Sequence, residues 1–386
     1  MSYIPFTPYP SYIFGAGSIS VLGEKVKELG AKKAMLIFDF GVEAAGIPKK
    51  AAASLDAAGV PHICFNGVHA DPSVDVVDKC AALGLENGVD LVIGVGGGSS
   101  MDTAKCTSIL LSGFEGPAAK YVLAVPPVID TTCPVVLVPT TCGTGSEVTP
   151  VAVISRPDMN TKWSVFVNVN LAIVDPELTV TLPLEQTAST GLDALAHCIE
   201  GYTNKFRNPV ADEMALVGIR KIADNLIRSY EHPDDVEARS EMAMAATMGG
   251  LAFKDPLTHV GHAMGDAYGC NFHTPHGQSC VFGLSATVKL VAPILPKEMA
   301  KTAEAMRLPL TGRETAEELG TLVEKEIQRY MRVMNVQSQK ALGFPRDKVV
   351  AMAKEVSENH LSAHCPIEIT EERAAELLAY AYDSYQ

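Results

Sequence analysis

Near residue 185 the chain changes character. Before it, apolar strand-like runs alternate with amphipathic helical runs; after it, only helical patterns remain. Alternating strands and helices need a parallel sheet with helices laid over it, whereas unbroken helical periodicity needs helix-on-helix packing. The expectation is an α/β domain with a parallel sheet over residues 1–184 and an all-α domain over 185–386. A length of 386 residues favours two cores over one.

Residues 1–30 read as turn-rich and then amphipathic, with a short strand at Tyr12-Ile-Phe and a helix over Ile19–Leu29 that Gly30 stops. Strands follow at Lys33–Asp39, Pro61–Phe65, Asp90–Gly96 and Val135–Pro139, with helices at Pro48–Ala58 and Val74–Asn87. Lys162 opens a further strand-like run that continues through Asp175. The second half reads as helices over Glu185–Tyr202, Val210–Tyr230, Asp235–Phe253 and Leu257–Ala267. Four more are expected over Ala286–Arg307, Thr315–Asn335, Arg346–Asn359 and Thr370–Tyr382. No repeat or low-complexity tract interrupts the pattern.

With 31 basic against 45 acidic residues, a net charge of −14 and no basic run, nucleic acid and anionic membranes are poor partners. The first eight residues lack the basic and apolar regions of a signal peptide, and no uninterrupted apolar run is long enough to span a bilayer. Nine scattered cysteines without a CxxC pair read as reduced thiols, so a cytoplasmic protein is expected.

Two turns suit a polar ligand. In Asp90-Leu-Val-Ile-Gly-Val-Gly96-Gly97-Gly98-Ser99-Ser100-Met-Asp102, consecutive glycines stand where a strand feeds a helix. Without Cβ atoms the backbone can be approached closely, and the free N–H groups of the helix start suit a pyrophosphate. Ser99 or Ser100 could equally cap that helix, giving a tight turn with no ligand. In Pro139-Thr140-Thr141-Cys-Gly-Thr144-Gly-Ser-Glu-Val-Thr149, small hydroxyls crowd around two glycines. They suit a ribose or phosphate, or they satisfy their own loop.

Of only ten histidines, His262, His273 and His276 fall in one short window together with Asp266. Upstream, Asp193-Ala-Leu-Ala-His197 sets a carboxylate and an imidazole on one helix face. One carboxylate and several imidazoles brought together would form a mixed N/O site for a divalent transition metal.

The run from Ala172 through Asp175-Pro-Glu-Leu-Thr, Leu-Pro183, Thr190-Gly-Leu-Asp193-Ala-Leu-Ala-His197 and Glu200 to Tyr202 resembles the first signature of the iron-containing alcohol dehydrogenases. Relatives of that family include lactaldehyde reductase and 1,3-propanediol dehydrogenase. The segments Gly96–Lys105 and Pro139–Thr149 match the family too, in the right order. The resemblance implies a dehydroquinate synthase-like fold: a dinucleotide-binding domain and a helical metal-binding domain. It implies hydride transfer between NAD(H) and a small alcohol or aldehyde, such as a primary alcohol or a diol. It also implies Fe2+, with Zn2+ as the alternative, and a dimer-based homo-oligomer.

By the same resemblance the metal ligands fall on Asp193, His197, His262 and His276. Gly96, Gly97, Gly98, Ser99 and Asp102 fall at the pyrophosphate, and Thr140, Thr141, Thr144 and Thr149 line the cofactor. Lys162 reaches the nicotinamide ribose and Leu178 packs on the cofactor. Asp39 matches the position facing the adenosine ribose, where a carboxylate accepts from a 2′-hydroxyl and repels a 2′-phosphate, so NAD(H) is expected over NADP(H).

The second signature departs from the family. Asp266 stands where members often carry a histidine, and Cys270, Gln278 and Ser279 differ as well. Asp266 is read as the catalytic proton acceptor or as a hydrogen-bond partner of a ligand imidazole, with contact to substrate or solvent as the alternative. Phe253 matches a position near the substrate, and His259 and His273 are additional imidazoles around the site. The competing readings are a dehydroquinate-synthase-type lyase and a metal-free reductase of the family.

Overall fold

The computed structural model describes residues 10–123, 127–159 and 161–386. The turn-rich reading of residues 1–9 lies outside them. Two compact units form, one from residues 10–141 and 145–181, the other from 142–144 and 182–386.

Among the described residues the first unit holds nine strands: β1 (Ser11–Phe14), β2 (Ala34–Asp39), β3 (His62–Val68), β4 (Leu91–Gly96), β5 (Val128–Ile129), β6 (Val135–Pro139), β7 (Val151–Arg156), β8 (Thr161–Val167) and β9 (Leu171–Val174). Its helices are α1 (Leu22–Glu28), α2 (Phe40–Ala44), α3 (Ile47–Ala58), α4 (Val74–Glu86) and α5 (Gly98–Leu111). Six strands make one sheet in the order β1-β9-β6-β4-β2-β3, parallel throughout. Helices cover both faces of such a sheet, so its strands are apolar without alternation; β4 and β6 are buried along their whole length.

From β2 the chain moves outward to β3, and from β4 it moves the opposite way to β6. The ends of β2 and β4 therefore flank a topological switch point, where open α/β sheets receive ligands. Asp39 closes β2 and Gly96 closes β4.

A second sheet, β5-β8-β7, contains an antiparallel hairpin of β7 and β8. The single strand-like run read from Lys162 to Asp175 is in fact two strands, β8 and β9, in different sheets. Asn170 enforces the break: its side chain accepts from Val135 N at 2.8 Å and its own N–H donates to Val135 O at 2.9 Å. Lys105, fully buried on α5, ties this region to the main sheet. Its ammonium donates to Ser146 O (2.8 Å), Ser146 Oγ (2.7 Å) and Val151 O (2.6 Å).

The second unit carries α6 (Leu184–Thr203), α7 (Pro209–Glu231), α8 (Val236–Phe253), α9 (Val260–Phe272) and α10 (His276–Val291). After them come α11 (Pro296–Ala305), α12 (Ala316–Val333), α13 (Arg346–Ala351), α14 (Ala353–Glu358) and α15 (Glu371–Ser384). Asn208 caps α7 through Val210 N and Ala211 N, and Thr315 with Glu318 forms a capping box on α12. The helix expected over Ala286–Arg307 is two helices. Pro296 has no N–H to continue α10 and instead opens α11 at its first turn. The start of α10 lies ten residues earlier than expected, at His276, which puts that imidazole on a rigid helix. No described helix is long and apolar enough to cross a membrane.

Candidate metal centre and cofactor turn

Three helices of the second unit carry the candidate chelating side chains. Asp193 and His197 lie one turn apart on α6, His262 is on α9, and His276 begins α10. These helices approach closely because small residues line their seams. A Cβ on Gly277 would sit 2.1 Å from Ser189 O, so any larger residue would push α10 off α6.

One atom is the hub. Asp193 Oδ1 lies 3.8 Å from His197 Nε2, 3.7 Å from His262 Nε2 and 3.9 Å from His276 Nε2. Those gaps are too long for hydrogen bonds but fit donors that each sit ~2.0–2.2 Å from a shared ion. Asp193 Oδ1 and His262 Nε2 are buried and have no hydrogen-bond partner. Buried polar atoms left in this condition need an occupant, and a cation supplies one.

The other ring nitrogens are held by protein. His197 Nδ1 faces Gly143 O at 3.2 Å and His262 Nδ1 faces Glu200 Oε1 at 2.8 Å. Both contacts direct Nε2 toward Asp193, which is how a metal site fixes ring tautomer and orientation. Burial pulls the His197 imidazole down to about 4, so it is neutral and able to ligate at neutral pH. Burial works against charge on Glu200, but His262 and His259 outweigh it and hold that carboxyl at about 2. The Phe253 ring stacks on His197 with centroids 4.3 Å apart.

In the first unit, the turn after β4 is shaped by Gly96 at φ 152°, where a Cβ would also meet Ser100 Oγ at 2.6 Å. The alternative, a serine cap on this helix, is absent. Gly97 is the N-cap of α5 and makes no side-chain cap, which leaves its first-turn N–H groups to another acceptor. Thr140 N donates to Gly96 O at 2.9 Å, bringing the end of β6 against the turn. Thr141 Oγ1 beside it is buried without a partner.

The description "Iron-containing alcohol dehydrogenase" matches residues 10–176, and "Fe-containing alcohol dehydrogenase family, C-terminal" matches 187–382. The chain is 33% identical to choline dehydrogenase of Bacillus subtilis over 362 residues, 92% of this chain and 90% of that one. It is 34% identical to 1,3-propanediol dehydrogenase of Klebsiella pneumoniae over 307 residues, 78% and 79% of the two chains. A crystal structure of 1,3-propanediol oxidoreductase superposes with a TM-score of 0.93 at 30% identity, covering 99% and 100% of the two chains.

The chain belongs to the iron-containing alcohol dehydrogenase family. It is an NAD-dependent, iron-type enzyme that transfers a hydride between NAD(H) and an alcohol or aldehyde.

Within this dehydrogenase the expected residues fall into distinct groups. Asp193, His197, His262 and His276 converge as described, and Asp39, Gly96, Gly97, Gly98, Ser99, Thr140 and Thr141 gather at adjoining strand ends. Others are engaged by the protein. Asp102 accepts from Ser146 Oγ at 2.7 Å and from Val153 N at 2.9 Å. Lys162 is paired with Asp71 at 2.6 Å. Leu178 is buried in the apolar core with β1, β2 and β9 residues, and Thr149 is also buried.

Asp266 follows His262 by one turn, but its Oδ2 accepts from Asn359 Nδ2 at 3.0 Å. The imidazole it was expected to orient is oriented by Glu200 instead. His259 N donates to Glu200 Oε2 at 2.6 Å, and His259 Nε2 lies 2.9 Å from Thr203 Oγ1, so the backbone braces Glu200 while the ring is held by Thr203. His273 is an exposed C-cap of α9 in the left-handed region. The sequence reading missed the role of Glu200, although it stands one turn from a candidate ligand, three residues after His197.

Proposed function

We propose that this dehydrogenase holds its divalent cation on Asp193, His197, His262 and His276 and oxidises a small primary alcohol or diol. The observation that carries the site is the buried, unpartnered Asp193 Oδ1 facing three imidazole nitrogens at 3.7–3.9 Å. When bound, a divalent cation in such a site supplies Lewis acidity that eases loss of an alcohol proton.

The chain's own residues set the geometry. Glu200 and Gly143 fix the ring orientations of His262 and His197, and Phe253 shields the His197 face from water. The His276 side chain is 45% exposed, so the site opens on that side. The turn Gly96–Ser99, with Thr140 and Thr141, receives the pyrophosphate, and Asp39 receives the adenosine ribose. Asp266 takes the departing proton, a role supported by its place one turn from His262. Residues 1–184 serve as the dinucleotide-binding domain and 185–386 as the metal-binding domain. The enzyme works as a homodimer in the cytoplasm, a location in keeping with nine cysteines that all remain free thiols.

The test is alcohol-dependent NADH formation by protein stripped of metal and reloaded anaerobically with Fe2+ or with Zn2+, over a panel of primary alcohols and diols. Metal-dependent NADH production is expected, with its loss in Asp193→Ala. NADH formation that ignores both stripping and that substitution would overturn the metal assignment. A lyase would release no NADH.

A further inference from the structure

The side-chain donors near Asp193 include one that is neither carboxylate nor imidazole. Cys280 is fully buried on α10, one turn after His276 and on the same helix face. Its Sγ lies 3.6 Å from His276 Nε2. Asp193, His262, His276 and Cys280 together present one ligand atom each, all within 4.8 Å of one another. We propose that Cys280 ligates the cation as a thiolate.

This rests on Asp193, His262 and His276 being ligands, and it adds a donor to them. A buried cysteine is by default a small apolar core residue. Cys280 differs because Asp193 Oδ1 and His262 Nε2, both buried and without hydrogen-bond partners, stand beside it. The thiol also has room reserved for it: a Cβ on Gly265 of α9 would come within 2.7 Å of Sγ. Two overlapping tetrads result, sharing Asp193, His262 and His276, with the nitrogen of His197 or the sulfur of Cys280 as fourth donor.

Ligation requires loss of the thiol proton to solvent as the sulfur–cation bond forms, with no change of oxidation state. A sulfur donor suits Zn2+ and Co2+ better than an all-N/O set does. The cysteine therefore biases metal choice at this centre toward softer ions.

Cobalt reports sulfur ligation directly. Metal-free enzyme is titrated anaerobically with Co2+, and the near-ultraviolet and visible spectra are recorded for wild type, Cys280→Ser and Cys280→Ala. The expected result is a strong thiolate-to-cobalt charge-transfer band in wild type, absent from both variants, with the weak visible cobalt bands kept by all three. Retention of Zn2+ relative to Fe2+ in equilibrium dialysis should also fall by about tenfold in the variants. Visible bands without charge transfer in wild type would overturn the cysteine while leaving the metal site standing. Failure to take up Co2+ at all would sink both. The wild-type spectrum decides the matter even where a variant folds poorly.

Discussion

Glu200 Oε1 accepts from the Nδ1 side of His262 at 2.8 Å, while Glu200 Oε2 takes the backbone N–H of His259 at 2.6 Å. One fully buried carboxylate thus orients the His262 ring, a proposed chelator, and pins the start of its helix. Replacing Glu200 by Gln keeps the volume but removes the charge that holds the ring. The expected result is a loss of metal affinity of about 10–100-fold. Competition with a chelator of known affinity measures it, and an unchanged dissociation constant would refute the orienting role.

Gly96 should be intolerant of a side chain for two independent reasons. Its φ of 152° disfavours L-residues, and a Cβ would press against Ser100. Gly96→Ala is expected to cost about 1–3 kcal/mol in stability and to weaken NADH binding through distortion of the turn. Urea unfolding and NADH fluorescence titration check the two effects. Wild-type behaviour in both would show that the turn carries no constraint.

The Asp39 carboxylate caps α2 through Val42 N at 2.9 Å. Asn caps as well as Asp, so Asp39→Asn removes charge while keeping the local fold. The preference for NADH over NADPH is expected to shrink by about tenfold once the repelled 2′-phosphate meets a neutral side chain. Comparing kcat/KM for the two cofactors tests this, and an unaltered ratio would place the adenosine ribose elsewhere.

Asp212, one turn into α7, behaves oppositely to an ordinary surface acid. Burial pushes its carboxyl up from 3.8 to about 6; Arg207 pulls it down, and Glu298 and Glu213 add to the rise. The folded protein therefore binds this proton more tightly than the unfolded chain does. Its stabilising contribution is complete below pH 3.8 and is lost as pH rises through about 6. Asp212→Asn should be more stable than wild type above that pH, with the gap closing toward the acid side. Thermal melts of both proteins at several pH values decide it, and a gap that widens on acidification would contradict the sign.

Much of this was legible in the sequence because the signals were periodic or local. β2, β4 and β6 are continuous apolar runs, and α6 carries Asp193 and His197 at one-turn spacing. What escaped depended on long-range partners. The hairpin of β7 and β8 alternates weakly, and its separation from β9 depends on Asn170 gripping Val135 thirty-five residues away. Asp102 sits in a phosphate-like motif yet binds Ser146 and Val153. Nothing in the spelling of α10 marks Cys280, because its significance comes from Asp193 and His262 on other helices.

The sealed ammonium of Lys105 has an implication for anyone recombining these enzymes. Its three hydrogen-bonding oxygens come from Ser146, before β7, and Val151, which opens β7, while Asp102 of its own helix lies 3.7 Å away. A chimera that imports residues 146–151 from a homologue without a matching serine and carbonyl path would leave this buried ammonium with Asp102 as its remaining partner. Crossover points should therefore keep 105 and 146–151 on the same parent, even though forty residues part them in the gene.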